Sequence, residues 1–132
     1  MPKTELPVFT KKRKLLYETK DKNQLVKHGD MFFEADHIDD ALDFYEMAGN
    51  EEGFRKIEAV ARKEGNLYLY RKVCKLMKDQ PSKDITNEIG MKAIELGKLS
   101  MALDAFSDTG NEGMKKKVDQ MLEGENPEKK TE

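Results

Sequence analysis

The eleven residues ALDFYEMAGNE at 41–51 return, altered, as ALDAFSDTGNE at 102–112. Few architectures accommodate such an echo within 132 residues. An offset of 61 also pairs Gly29 with Gly90, Glu34 with Glu95, Ile38 with Leu99 and Tyr45 with Phe106. Agreement across a helix, a turn and a second helix marks a repeated helical unit. One such unit cannot bury its apolar face alone, so a neighbour must cover it. Because the offset spans four helices, a degenerate hairpin is expected between the two clear ones. Ala61, Gly65, Leu67, Cys74 and Met77 occupy its comparable places.

Apolar residues recur mostly at spacings of three and four, which predicts helices and no strands. Eight helices are expected, six of them in three antiparallel hairpins. The first runs from about Lys11 to Lys20. Asp21, with Gln24 three residues on, resembles a capping box and opens a second helix reaching Ala35. Its partner starts near Ile38, with Asp39 and Asp40 at the positive end of the helix dipole. The repeated Gly-Asn pair has a local explanation. Gly49 and Gly110 close one helix in a left-handed conformation, and Asn50 and Asn111 cap the next. Further breaks fall at Gly65-Asn66, at Gln80-Pro81-Ser82 and near Gly97. The expected fold is all-α: an α-α superhelix, or solenoid, of about three antiparallel helical hairpins with flanking helices. It occupies residues 10–123, between flexible tails at 1–9 and 124–132.

Composition suits a thin helical architecture, with 38% charged and 37% hydrophobic residues. A net charge of −2 gives no global attraction to nucleic acid or anionic lipid. No apolar run approaches the roughly 18 residues of a membrane span. The N-terminal stretch lacks the pattern of a secretory signal, and the lone Cys74 excludes an internal disulfide. A cytoplasmic protein is expected.

GDMFFEADHIDDALDFYEMA at 29–48 resembles the tetratricopeptide-repeat family in its spacing of small and large residues. Gly29 and Phe32 hold the small and large places of the first helix; Ala41, Tyr45 and Ala48 hold those of the second. GMKAIELGKLSMALDAFSDT at 90–109 follows with Gly90, Gly97, Ala102 and Phe106, but has Ala93 and Thr109 where a large residue and alanine are usual. The resemblance covers about residues 22–122. Its turn residues Asp36, Gly65 and Gly97 are 29 and 32 apart, against a usual period of about 34. These shortened units are also similar to those of clathrin-type and coatomer-type helical solenoids.

The resemblance implies a non-catalytic protein-protein interaction module, an adaptor or scaffold holding a partner segment on a concave face of first helices. The groove-facing places it implies are Asp30, Phe33 and Glu34 in the first hairpin, and Arg55, Lys56, Arg62 and Lys63 in the second. The third contributes Asn87, Met91, Ile94 and Glu95. The family's carboxylate clamp for peptide C-termini is not reproduced in full. Charge is sorted in blocks: residues 1–28 hold eight basic and three acidic side chains, 29–53 nine acidic and none basic. Residues 54–83 hold nine basic and three acidic, and 84–112 two basic and six acidic. Three readings follow. Adjacent hairpins attract each other, or Arg55, Arg62 and Lys63 share a helix face and form a cationic groove for an acidic segment, or oppositely charged blocks of separate copies associate.

KKRK at 11–14 reads as part of an amphipathic helix with Leu15 and Leu16, with no aromatic interleaving to suggest a nucleic-acid platform. His28 and His37 lack tetrahedral-site spacing, and Asp36, His37, Asp39 and Asp40 lack a calcium loop's pattern. Neither metal nor cofactor is expected, and Cys74 reads as core. No strained glycine-flanked serine or phosphate loop points to an enzyme. The partner is expected to be another protein or peptide segment, an acidic one on the second of these charge readings; membrane and nucleic acid are not expected. The alternatives are a self-associating structural subunit, or a small enzyme or metal-linked protein with an unrecognised site. If small residues set the close approach of paired helices, Ala41→Phe should destabilise by roughly 1–3 kcal/mol through overpacking. An unchanged melting temperature would refute this.

Overall fold

The computed structural model describes residues 9–125, so the expected tails at 1–9 and 124–132 fall almost wholly outside it. Among the described residues the chain is all helix: α1 (Phe9–Glu18), α2 (Lys22–Glu34), α3 (Ile38–Ala48), α4 (Glu51–Glu64), α5 (Leu67–Met77), α6 (Lys83–Glu95), α7 (Leu99–Thr109) and α8 (Glu112–Glu125). Helix α1 ends two residues before the expected Lys20. The Asp21 backbone is extended and its carboxylate accepts from the Asn23 amide at 2.9 Å, which commits this stretch to opening α2. Asn50, Asn66 and Asn111 cap α4, α5 and α8 through side-chain oxygens accepting from Gly53, Leu69 and Met114 amides.

Residues with left-handed backbone fall in two series. Asp36, Gly65 and Gly97 close the first helices of successive pairs; Gly49, Lys78 and Gly110 close the second helices. Both series have spacings of 29 and 32 residues, and members of each pair lie 13 apart. Glycine takes this conformation without steric cost, whereas Asp36 and Lys78 carry a Cβ into it.

Backbone proximity divides the chain within α4 into two compact units, Met1–Ile57 and Glu58–Glu132. In the first, α2 and α3 approach most closely. A Cβ at Gly29 would lie 2.7 Å from Cε1 of the Tyr45 ring, and one at Gly53 would meet the same ring. Tyr45 is fully buried, and its hydroxyl donates to Asp30 at 2.6 Å. Burial, followed by that bond, pushes its pKa far above the ordinary phenol range. Phe32 and Phe44 stack beside it, with centroids 5.3 Å apart. Helix α1 is tied to α3 by Lys12, whose Nζ lies 2.8 Å from both Asp40 and Asp43 carboxylates. Burial alone would depress the Lys12 pKa; the two carboxylates outweigh it and leave it raised.

In the second unit α6 and α7 form the corresponding close pair, and α7 also packs on α8. A Cβ at Gly90 would lie 2.8 Å from Cζ of Phe106. Phe106 belongs to a core with Ala93, Leu99, Ala102 and Val118, bordered by Met101, Met114 and Met121. Gly65 lies against the α6 backbone, where an added Cβ would stand 2.8 Å from the Ala93 nitrogen. Lys98 Nζ donates to the Glu64 carbonyl at 2.8 Å, placing a cation at the negative end of α4.

The pair α4–α5 lacks the close backbone approach of the other two. Gly29, Ala41 and Tyr45 stand seven before, five after and nine after Asp36; Gly90, Ala102 and Phe106 keep those places about Gly97. About Gly65 the same places hold Glu58, Tyr70 and Cys74. Bulk thus sits where the other pairs have glycine and alanine, and a small thiol replaces the ring. Tyr70 is buried, and its hydroxyl oxygen accepts from the Ser82 amide at 2.8 Å. Burial pushes its pKa up to about 12.

The left-handed lysine gives a direct test of the turn series. Lys78→Gly removes the Cβ penalty but adds unfolded-chain entropy, for a net gain of up to about 1 kcal/mol. A higher urea midpoint with unchanged slope is the expected result; a lower midpoint would mean that the Lys78 side chain matters more than its backbone.

Candidate functional site

In the second unit, an open groove of about 680 Å³ is lined by Arg62, Lys63, Glu88, Met91, Lys92, Ile94 and Glu95. Two elements build it. The last turn of α4 supplies Arg62 and Lys63, and α6 supplies Glu88, Met91, Lys92 and Glu95 at a spacing that returns to one helix face. Met91 and Ile94 give it apolar surface; Met91 is 53% exposed. Five of the residues expected at a groove, Arg62, Lys63, Met91, Ile94 and Glu95, are therefore brought together. Glu88 and Lys92 were not anticipated, although Glu88 shares the heptad-like stripe of Met91 and Glu95.

Carboxylates share the groove with its cations. Arg62 Nε and Nη2 donate to the two Glu88 carboxylate oxygens at 2.6 and 2.9 Å, and Nη1 lies 3.8 Å from Glu58. The guanidinium holds the Glu88 carboxyl below the usual glutamate range. Lys92 lies 3.3 Å from Glu95 on its own helix. Arg62 is thus a neutralised, fixed wall rather than a free charge, while Lys63 is exposed at the rim. Asn87 is half-buried, its side-chain oxygen accepting from the Thr109 hydroxyl at 2.7 Å, and does not line the groove.

In the first unit Asp30, Phe33 and Lys56 come together. Asp30 accepts from Tyr45 and, at 3.1 Å, from Lys56 Nζ, which stands 5.5 Å from the Phe33 ring centroid. Asp30 is therefore engaged in holding α2 against α3 and α4. Glu34 is exposed on α2, and Arg55 lies 3.6 Å from Glu51. The wider pattern favours charge blocks that bind neighbouring helices: Lys12 to Asp40 and Asp43, Lys56 to Asp30, Arg62 to Glu88, and Arg71 to Asp108.

Among the described residues no cluster of three or more His, Cys, Asp or Glu side chains is placed to hold a metal, and no helix is long and apolar enough to cross a membrane. Comparison with family models, with curated proteins and with solved structures finds no match to this chain.

The Arg62–Glu88 pair has a defined pH signature. Because the folded Glu88 pKa is depressed, the pair contributes above the ordinary glutamate pKa and is lost as pH falls through the lower folded value. Arg62→Gln should raise the Glu88 titration midpoint back toward the ordinary glutamate range, followed by carboxyl NMR shifts. An unmoved midpoint would mean the pair does not persist in solution.

Proposed function

We propose that the chain is a non-catalytic interaction module of the helical-repeat type, and that the α4–α6 groove holds a peptide segment of a partner protein. The groove carries the reading. Its volume of about 680 Å³ falls within the range of ligand sites, roughly 300–1,000 Å³. Apolar Met91 and Ile94 can receive an aliphatic side chain, a role suited to adaptable methionine. Lys63 at the rim favours a carboxylate nearby, so the preferred segment pairs an apolar residue with an acidic one.

Two further observations support a tetratricopeptide-like stack of hairpins. The left-handed turns repeat at the same two spacings in both series. Within the first unit α2 meets α4 through Asp30–Lys56; within the second α4 meets α6 through Arg62–Glu88, and α5 meets α7 through Tyr68–Asp104 and Arg71–Asp108. Within each unit a first helix thus meets a first helix, and within the second unit a second helix also meets a second, as a stacked arrangement would have it. Lys116, Lys117, Asp119, Gln120 and Glu123 are exposed on α8, a polar face of the kind that caps a repeat array. That face disfavours extension through α8 by further copies.

Selection from a displayed peptide library should enrich sequences with an aliphatic residue beside an acidic one. Met91→Glu combined with Lys63→Glu should weaken the selected peptide by at least about tenfold, roughly 1.4 kcal/mol, with the circular dichroism unchanged. NMR shifts on titration should centre on Lys63, Met91 and Ile94. No enriched peptide, or shifts centred elsewhere, would overturn the reading.

A further inference from the structure

The KKRK run on α1 does two different jobs. Lys12 turns inward, its side chain only 11% exposed, and is held by Asp40 and Asp43. Lys11, Arg13 and Lys14 remain exposed. Tyr17 is 66% exposed, the highest among the exposed large hydrophobic side chains. At 100° per residue Tyr17 lies between Arg13, one turn before it, and Lys14, three residues before it, so the three share the outward face. The sequence pattern had suggested no aromatic among these cations; helical spacing supplies one.

We infer that this outward face of α1 is a second interaction surface, and that its partner is a short acidic segment of another protein. Arginine and tyrosine are enriched at protein interfaces and among the residues that carry most binding energy there. An anionic bilayer fits less well. Among the described side chains of α1, Leu16 is buried and Leu15 half-buried, so both are already used within the fold and not left to insert. A long polyanion fits less well too. The same unit exposes Asp36, Asp39, Glu46, Glu51 and Glu52, which would repel any anionic surface extending beyond α1. A segment of few residues reaches the cations without meeting that field.

The test uses the full chain and a fluorescent peptide made of repeated Glu-Glu-Leu triplets. Triple charge reversal at Lys11, Arg13 and Lys14 should weaken binding by at least about tenfold. Reversal at Lys20, Lys22 and Lys27 changes net charge equally but should cost no more than about two- to threefold. Tyr17→Ala should weaken binding several-fold at unchanged charge. Lys63→Glu with Met91→Glu, which empties the α4–α6 groove of its role, should leave this binding in place, so the two surfaces fail or succeed separately. Equal losses in the two charge-reversed triples would reduce the effect to net charge and overturn the assignment. So would tighter binding to phosphatidylserine vesicles or to single-stranded oligothymidylate than to the peptide, or an absence of peptide binding.

Discussion

A ring laid over a glycine sets the spacing of the two closest helix pairs. Tyr45 occupies the space that a Cβ at Gly29 or Gly53 would need, and Phe106 does the same over Gly90. Rings of this size bury about 150–250 Å² each, so their placement dominates the packing of a thin layer. The glycines carry an entropic cost of roughly 0.5–1 kcal/mol each in a helix interior, which the buried ring must exceed. Tyr45 adds a polar constraint that Phe106 lacks. Its hydroxyl is held by Asp30, which in turn receives Lys56, so one buried phenol links α2, α3 and α4.

Charge then works at a finer level than the apolar core. Exposed ion pairs contribute at most about 1 kcal/mol each, and often nothing measurable. Their value here lies in register. A block with nine acidic and no basic residues is preceded and followed by basic ones, so a helix displaced along its neighbour would place like charges together. Lys12 between Asp40 and Asp43, and Arg62 across both oxygens of Glu88, fix two such registers with several contacts each. The same economy limits the supply of free charge. In the groove Arg62 is paired with Glu88, and Lys63 stands exposed at the rim.

What could be read in the sequence follows from how local each determinant is. Asn50, Asn66 and Asn111 cap their helices through bonds spanning three residues, and Gly49 and Gly110 close theirs by backbone conformation alone. Those positions were legible because neighbouring residues decide them. Asp36 was legible as a turn residue, but nothing about an aspartate or about Lys78 announces a left-handed backbone. The groove was half legible. The repeat resemblance grouped Arg62, Lys63, Met91, Ile94 and Glu95, which the structure brings together along one groove, yet only packing reveals that Glu88 pairs with Arg62 and that Thr109 bonds Asn87. Periodicity says which way a side chain points, and not what meets it. The division of the chain within α4 was hidden for the same reason, since the helix itself is continuous in sequence.

The departure of α4 and α5 from the sequence echo is informative in this light. Had Glu58 been glycine and Tyr70 alanine, α5 could approach α4 as α3 approaches α2. With Glu58 present, a carboxylate only 14% exposed reaches Arg62 within 3.8 Å, while Glu88 grips the other edge of the same guanidinium. With both edges of the guanidinium engaged, its aliphatic stem and the neighbouring Met91 and Ile94 form the wall of the groove. Sequences are locally consistent with their fold except where another requirement intervenes. The repeat fails at Glu58, Tyr70 and Cys74, and Glu58 supports a wall of the groove. Glu58 thus accompanies both the wider spacing of α4 and α5 and the bracing of one wall of the groove beside them.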